Sequence, residues 1–285
     1  MLTVSGVGEL RSRVATWRAQ HERVVFVPTM GNLHAGHLAL VRHARTLGER
    51  VVVSIFVNPT QFAPGEDYET YPRTPQADIE ALAAEQVDLV FAPDVSTMYP
   101  EGARAAEASA VPPVGRGLEA DYRPDFFAGV VAVVRRLFEL VAPDCAVFGQ
   151  KDYQQLAVVR AMVRQLGPPI EIASVATVRE DDGLALSSRN QYLSASEREC
   201  APRLYRTLCE VAEQVGAGEL EYERLERDAA RRLEAAGFVP DYVSIRRADD
   251  LLPPTPGERD CVVLGAARLG RARLIDNVLV QSRPG

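Results

Sequence analysis

Short apolar runs alternate with segments of helical periodicity through the first part of the chain. The runs are rich in β-branched residues, as buried strands of a parallel sheet are, and they cover residues 24–27, 51–57, 87–91, 145–148 and 170–172. Helical patterns lie around residues 38–47, 75–85, 127–141 and 153–166. This βα alternation predicts an α/β fold built on a Rossmann-like parallel sheet.

The pattern changes near residue 178. The segment that follows is polar and contains glycine, and Ser194-x-x-Glu197 is typical of a capping box that opens a helix. Two later apolar runs, residues 261–264 and 273–276, predict closing strands. We therefore expect a Rossmann-like domain over residues 1–177 and a smaller α+β domain over residues 178–285.

Composition excludes several classes of protein. With 285 residues, 47% of them hydrophobic and 25% charged, the chain is typical of soluble globular proteins. A net charge of −7 argues against an extended nucleic-acid surface. The sequence has no apolar stretch of membrane-spanning length and no secretory signal pattern at Met1. We expect a cytoplasmic protein that binds neither nucleic acid nor membrane.

A strand, a tight turn and a helix start coincide between residues 24 and 45. At such a junction the first helical N–H groups face a crevice at the carboxyl end of the strand, where a phosphate group can bind. His34 and His37 lie on one side of this helix start, and their imidazoles can donate to phosphate oxygens. Gly31 and Gly36 allow the backbone to approach a ligand closely.

The same two histidines allow two other interpretations. They could be ordinary polar residues of a surface loop. They could also bind a metal ion, but a third ligand at a recognisable spacing is absent, and the remaining histidines are His21 and His43. Cys145, Cys200, Cys209 and Cys261 lack C-x-x-C spacing, which favours reduced thiols over zinc or disulfides. The sequence therefore predicts no metal held by protein ligands.

The His-x-Gly-His arrangement of residues 34–37 resembles the signature of the class I aminoacyl-tRNA synthetase and nucleotidylyltransferase superfamily. Further motifs follow in chain order: residues 28–34 (PTMGNLH), 57–62 (VNPTQF), 71–74 (YPRT), 149–155 (GQKDYQQ) and 186–190 (LSSRN). This series is similar to the pantothenate synthetase, or pantoate–β-alanine ligase, family. The resemblance extends to residues 269–277 and so covers nearly the whole chain.

The resemblance implies an ATP-dependent amide synthesis in two steps. (R)-Pantoate attacks the α-phosphate of ATP to give pantoyl adenylate and pyrophosphate, and β-alanine then displaces AMP to give pantothenate, in the last step of pantothenate biosynthesis. Residues 1–177 would bind ATP and pantoate, and residues 178–285 would act as a lid. The family also implies Mg²⁺ held mainly by the ATP phosphates, and a homodimer formed through the first domain.

Adenylation requires donors aimed at the phosphate oxygens. The expected catalytic residues are His37, His34, Lys151, Ser187 and Arg189, with His37 the strongest candidate for donating a hydrogen bond at the transition state. Lys151 is the only lysine of the chain, which weakens the interpretation of a solubilising surface lysine. Residues 187–190 on their own would be typical of a turn. By resemblance the ATP site comprises Pro28, Thr29, Met30, Gly31, Asn32, Leu33, His34, Ala35, Gly36, His37, Gly149, Gln150, Lys151, Asp152, Val178, Leu186, Ser187, Ser188 and Arg189.

Pantoate offers a carboxylate, two hydroxyls and a gem-dimethyl carbon, so its pocket needs polar donors beside an apolar wall. By resemblance Gln61 and Gln155 hold pantoate. Met30, Asn58, Tyr71 and Arg123 complete the expected substrate site.

The chain departs from the family pattern at one place. Where the family commonly has Arg-Pro-Gly-His-Phe, residues 123–127 read Arg-Pro-Asp-Phe-Phe. Any contribution of the family's histidine is lost, and the added carboxylate of Asp125 would weaken anion binding nearby. We expect an altered substrate affinity.

Two other functions share parts of this pattern. A nucleotidylyltransferase that keeps AMP on its product also has the His-x-Gly-His motif, but its reaction does not require both Gln61 and Gln155. A catalytically silent nucleotide-binding module would usually have lost at least one of Lys151, the two histidines and Arg189.

Overall fold

The computed structural model describes residues 1–63, 65–102, 110–167, 169–255 and 257–281. They form two compact units. The first comprises the residues up to Gln150 together with Val158–Ala176, and the second comprises Lys151–Ala157 and the residues from Thr177 onward. The main segment of the second unit begins at Thr177, one residue before the predicted start of the second domain at residue 178. The second unit also includes Lys151–Ala157, which the sequence prediction left in the first domain.

Six parallel strands form the sheet of the first unit, in the order β1-β4-β3-β2-β5-β6. The strands are β1 (Leu2–Val4), β2 (Val24–Thr29), β3 (Arg50–Ile55), β4 (Leu89–Phe91), β5 (Cys145–Gly149) and β6 (Glu171–Val175). The valines of β2 and β3 are buried on both faces of the sheet, as in α/β folds with helices on either side. The predicted Rossmann-like parallel sheet is confirmed.

The described residues that accompany this sheet form the helices α1 (Val7–Ala19), α2 (Ala35–Ala44), α3 (Pro75–Ala84), α4 (Val95–Met98), α5 (Glu119–Tyr122), α6 (Phe126–Val141) and α7 (Tyr153–Leu166), the last of which begins in the second unit. The apolar side of α2 packs on the sheet through the buried Val41 and Ala44. Helix α6 is buried along most of its length. Among the described residues, no helix has both the length and the apolar character needed to cross a bilayer.

The order of the strands reverses between β2 and β5. From β2 the chain proceeds through β3 to β4 on one side, while β5 pairs with the other edge of β2, with Val25 opposite Cys145. In open α/β sheets, ligands bind beyond the carboxyl ends of the strands at such a point. Here those ends lead into residues 30–34 after β2 and into Gln150 after β5, two of the predicted ATP-binding segments.

The second unit contains a three-stranded antiparallel sheet with two long helices packed on it. Its elements are α8 (Ala195–Cys200), α9 (Arg203–Gly216), α10 (Tyr222–Ala235), β7 (Val239–Arg247), β8 (Cys261–Leu269) and β9 (Ala272–Leu279). Leu208 of α9 and Leu233 of α10 are fully buried in its core. The predicted α+β character is confirmed, and so is the capping box of α8, in which Ser194 and Glu197 bond reciprocally.

The four cysteines carry free thiols. Cys145 and Cys261 are buried, and burial raises the pKa of both thiols above the ordinary value. These cysteines are therefore core residues with little thiolate at neutral pH.

Candidate active site

The predicted site residues divide between the two units. In the first unit lie residues 28–37, Asn58, Gln61, Tyr71, Arg123, Gly149 and Gln150. In the second lie Lys151, Asp152, Gln155, Val178 and residues 186–189.

Residues 30–37, here called the histidine turn, run from the end of β2 into the first turn of α2. Two successive residues of this turn have left-handed backbone conformations, Gly31 with φ 77° and Asn32 with φ 50°. A Cβ atom at position 31 would lie 2.9 Å from the Asp78 carboxylate. Gly31 is therefore required both for its backbone conformation and for the space it leaves.

The buried carboxylate of Asp78 holds the histidine turn. It accepts hydrogen bonds from the backbone amides of Asn32 at 2.9 Å and Leu33 at 2.8 Å, and from the Thr74 hydroxyl at 3.1 Å. Only 2% of Asp78 is exposed. Asp78 lies outside the motifs of the sequence and was not predicted as a site residue. The available signal was a carboxylate four residues before Leu82, on the buried side of α3.

His34 and His37 form the cap of α2 with each other. His34 is the N-cap residue, and its Nδ1 atom accepts from the Gly36 amide at 3.1 Å. The Nδ1 atom of His37 accepts from the His34 amide at 3.3 Å. The two ring centroids are 4.0 Å apart. Two histidines thus take the parts that serine and glutamate play in the usual capping box, and the predicted placement of both rings at the helix start is confirmed.

This arrangement determines the tautomer of both rings. A backbone N–H can only donate, so the Nδ1 atom of each imidazole must be the acceptor. A neutral imidazole that accepts at Nδ1 carries its proton at Nε2. In the neutral form, each ring therefore carries its proton on Nε2.

Residues 57–62 contain the predicted pantoate residue Gln61 and are here called the pantoate loop, and Asn58 organises this loop from within. Its Oδ1 atom accepts from the hydroxyls of Tyr99 at 2.9 Å and Thr60 at 3.0 Å. Its Nδ2 group donates to Gln61 Oε1 and to the Gly129 carbonyl, both at 3.2 Å. Burial raises the pKa of Tyr99, so its hydroxyl remains a donor well beyond neutral pH. With 1% exposure, Asn58 is placed to orient Gln61.

Gln61 and Met30, both predicted to bind substrate, lie in contact. The Nε2 group of Gln61 points at the Met30 sulfur at 3.0 Å. Tyr71, ten residues after Gln61, is buried. Its ring packs edge-on against Phe62, with ring centroids 5.8 Å apart. The first unit therefore brings the end of β2 and the predicted pantoate loop together.

Arg123 forms a bidentate ion pair with Glu66 and a hydrogen bond to the pantoate loop. Its guanidinium donates to both carboxylate oxygens of Glu66 at 2.8 Å and to the Gln61 carbonyl at 3.1 Å. The guanidinium carbon lies 3.8 Å from the ring centre of Phe126. Phe126, at the position of the family's histidine, thus gives Arg123 an aromatic face to stack on. Asp125 beside it is exposed and makes no capping bond to α6.

In the second unit, Lys151 is anchored through its backbone. Its carbonyl accepts from the Asn277 amide group at 2.9 Å. Two residues later, the Tyr153 hydroxyl donates to the Ala248 carbonyl at 2.9 Å. Both bonds join the segment Lys151–Ala157 to other residues of the second unit. The Lys151 side chain is 20% exposed, and its Nζ atom lies 3.9 Å from a carboxylate oxygen of Asp152.

A small hairpin presents the predicted Ser-Ser-Arg segment. Arg179 and Ala185 form a β-bridge, and the Leu186 amide donates to the Val178 carbonyl at 3.0 Å. Residues 187–190, here called the serine–arginine loop, follow at once. The Ser187 hydroxyl caps the loop by accepting from the Arg189 amide at 3.3 Å. Ser187 and Lys151 line one small cavity, so the structure brings these two predicted phosphate-binding residues together. Gln155 is half-buried on the first turn of α7.

Within the described part of the chain, no group of three or more histidine, cysteine, aspartate or glutamate side chains has the arrangement of a metal site. The histidine pair is instead bonded to backbone amides.

Comparison with known proteins decides which family this site belongs to. A family model described as pantoate-beta-alanine ligase matches residues 2–279. The chain belongs to the pantoate–β-alanine ligase family. The family predicted from the motifs is confirmed. Among curated relatives, a pantothenate synthetase of Methylococcus capsulatus is 53% identical over 280 residues, covering 98% of each chain. One of Pseudomonas putida is 51% identical over 278 residues, 98% of this chain and 97% of the relative.

Solved structures of the family share the fold. A pantothenate synthetase of Thermus thermophilus superposes with a TM-score of 0.91 at 49% identity, covering 98% of this chain and 99% of that chain. A pantoate-beta-alanine ligase of Francisella tularensis superposes with a TM-score of 0.82 at 31% identity and covers both chains fully. The Francisella protein was solved in complex with β,γ-ATP and β-alanine. The two-unit architecture is therefore that of the family.

Proposed function

We propose that this chain condenses (R)-pantoate with β-alanine to pantothenate, using ATP and releasing AMP and pyrophosphate. The observation that carries the proposal is the family match over residues 2–279. The histidine turn supports it, because it presents two Nε2–H donors at the point where the strand order reverses.

In the first step, a carboxylate oxygen of pantoate bonds to the α-phosphorus of ATP and the bond to the bridging oxygen of pyrophosphate breaks. Negative charge grows on the phosphate oxygens as this happens. We assign His37 and His34 to donate hydrogen bonds to those oxygens through Nε2. Lys151 supplies a positive charge, and Ser187 and Arg189 bind the leaving pyrophosphate.

Other residues bind and orient the reactants in this proposal. Gln61 and Gln155 hold the polar groups of pantoate, with the Met30 side chain as apolar wall beside Gln61. The direct contact between Gln61 and Met30 and the full set of bonds to Asn58 support this role, because they leave Gln61 in one orientation. Arg123 fixes the same loop through its bond to the Gln61 carbonyl.

Mg²⁺ enters this proposal as a partner of ATP. The described residues offer no three-ligand cluster, so the ion would be held mainly by phosphate oxygens and water, with Asp152 the carboxylate beside Lys151. When bound, Mg²⁺ neutralises charge that develops on the triphosphate.

In the second step, the amine of β-alanine bonds to the acyl carbon of pantoyl adenylate, the bond to AMP breaks, and the amine loses a proton. The adenylate must be kept from water until then. We assign residues 178–285 to this protection as a lid. The homodimer and the cytoplasmic location stay predictions.

The test is analysis of the products formed by the purified protein from MgATP, pantoate and β-alanine. We expect pantothenate, AMP and pyrophosphate in equal amounts. A product that retains AMP would favour a nucleotidylyltransferase. Formation of ADP, or no turnover at all, would contradict the proposal.

A further inference from the structure

Two adjacent residues of β9, Asp276 and Asn277, are bonded to both predicted nucleotide-binding segments of the second unit. Asp276 is linked to the hairpin that carries the serine–arginine loop, and Asn277 is linked to Lys151. Both residues are buried, with 5% and 7% exposure. Neither is among the residues assigned above to bind ligands.

The link from Asp276 runs through Arg179. The guanidinium donates to the two carboxylate oxygens at 2.6 and 2.9 Å, a bidentate pair, and it also donates to the Gly183 carbonyl at 3.1 Å. Its carbon atom lies 3.6 Å from the ring centre of Tyr205. The side chains of Arg179 and Asp276 are 18% and 3% exposed. A bidentate, stacked and largely buried pair fixes one orientation of the hairpin.

The link from Asn277 reaches the backbone of Lys151. Its side-chain amide donates to the Lys151 carbonyl at 2.9 Å, across 126 positions of sequence. Its own backbone amide donates to the Asp276 carboxylate at 2.8 Å. One carboxylate therefore orients both the hairpin and the residue that holds Lys151.

Charge gives this arrangement a second consequence. Asp276 lines the same cavity as Lys151 and Ser187. An unpaired carboxylate in this cavity would repel a triphosphate, and it would compete with the phosphate oxygens for the Lys151 ammonium group. The bidentate bond from Arg179 balances that charge without using Lys151.

We propose that Asp276 and Asn277 are positioning residues that hold Lys151 and the serine–arginine loop in the relative placement needed to bind the phosphates of ATP. This inference rests on the proposed function. The physical basis is that the two segments are ordered during folding. The entropy cost of ordering them therefore does not reduce the affinity for ATP.

The test compares Asn277→Ala and Asp276→Asn with a matched control, Asp241→Asn. Asp241 accepts from Arg273 at 2.7 Å in the same three-stranded sheet, and the two side chains are 12% and 14% exposed. The measurements are the ATP dissociation constant by calorimetry, the KM values for ATP and pantoate, and the melting temperature. For both β9 variants we expect ATP affinity to fall about 10- to 100-fold and the ATP KM to rise in parallel. The pantoate KM should change less than the ATP KM, because Gln61 and Met30 lie in the other unit and Gln155 alone shares the Lys151 segment.

The control separates positioning from general stability. Asp241→Asn should lower the melting temperature by a similar amount and leave ATP affinity at the parental value. If the β9 variants bind ATP like the control, or if all three lose affinity in proportion to their melting temperatures, the inference is wrong. If the parent protein itself makes no pantothenate, the proposed function fails, whereas the calorimetric comparison still reports on positioning.

Discussion

The Nδ1 atom of His37 accepts a hydrogen bond from the backbone amide of His34 at 3.3 Å, while Nδ1 of His34 accepts from the Gly36 amide at 3.1 Å. The helix cap and the proposed phosphate donors are thus the same two side chains. Capping uses Nδ1 and sets the proton on Nε2. The start of α2 therefore fixes the tautomer of both rings as well as their placement.

Two substitutions of His37 separate these functions. Glutamine places an amide donor near the position of Nε2, whereas asparagine is shorter and places its acceptor near Nδ1. We expect His37→Asn to lower the rate of adenylation by about 10²–10³. His37→Gln should retain at least about tenfold more activity than the asparagine variant, because one donor is preserved.

The measurement is pyrophosphate–ATP exchange at saturating ATP and pantoate, with His43→Gln on the same helix as the control that should match the parent. Equal activity of the asparagine and glutamine variants would show that the Nε2–H group of His37 does not stabilise the transition state.

Asp78→Asn tests how the histidine turn is held. The substitution turns one carboxylate oxygen into an NH2 group that faces the backbone N–H of Asn32 or Leu33. One hydrogen bond is then lost, and the NH2 group and the backbone N–H are two donors that face each other. We expect the free energy of unfolding to fall by about 1–3 kcal/mol and kcat/KM for ATP to fall with it. Urea unfolding and steady-state kinetics provide the readouts. Asp121→Asn, at an exposed carboxylate of α5, should change stability by less than about 0.5 kcal/mol. Parental stability and kinetics for Asp78→Asn would refute this role.

Gly129→Ala tests the packing of α6 under the pantoate loop. A Cβ atom there would lie 2.3 Å from the Thr60 carbonyl oxygen and 2.8 Å from the Gln61 amide, both backbone atoms. The loop must therefore move, and we expect a loss of about 1–3 kcal/mol in stability together with a raised pantoate KM. Gly8→Ala in α1 is the matched control, since nothing lies within 4 Å of its Cβ position. That variant should gain about 0.5 kcal/mol and keep the parental KM. An unchanged pantoate KM in Gly129→Ala would show that Gln61 does not set pantoate binding.

Asp125→Gly tests the departure from the family pattern. Asp125 is exposed at the N-terminal end of α6, two residues from the paired Arg123. Removing the carboxylate should lower at least one of the KM values for the anionic substrates, pantoate and ATP, because like charges repel. Stability should fall by about 0.3–1 kcal/mol, since an acidic residue favours a helix N-terminus. Asp125→Asn removes the charge without the glycine backbone and should reproduce the KM change. Unaltered KM values in Asp125→Gly would show that the Asp125 carboxylate does not alter substrate affinity.

Much of the fold could be predicted because buried parallel strands and amphipathic helices have plain periodicities. Helix α7 begins and ends where the pattern indicated, at Tyr153–Leu166. Strand β7 was missed. Its residues Val239–Arg247 include a proline and an aspartate, and only its central residues are buried. A partly exposed antiparallel strand of this kind gives a weak signal compared with the valine runs of the parallel sheet.

The site residues could be named from motifs, but the contacts that place them could not. Asp78 bonds to residues 45 and 46 positions earlier, and Asn277 bonds to the carbonyl of Lys151 across 126 positions. Such contacts depend on how distant elements pack, which local periodicity does not determine. The membership of Lys151 in the second unit has the same origin, since residues 151 and 153 bond to Asn277 and Ala248, which are distant in sequence.

The most direct test of the central claim is pyrophosphate–ATP exchange in the presence of Mg²⁺, measured with pantoate alone, with β-alanine alone and with neither. The account predicts exchange that requires pantoate and is independent of β-alanine, because a reversible acyl adenylate forms before the amine is used. Exchange that needs β-alanine, or no exchange with pantoate, would contradict it.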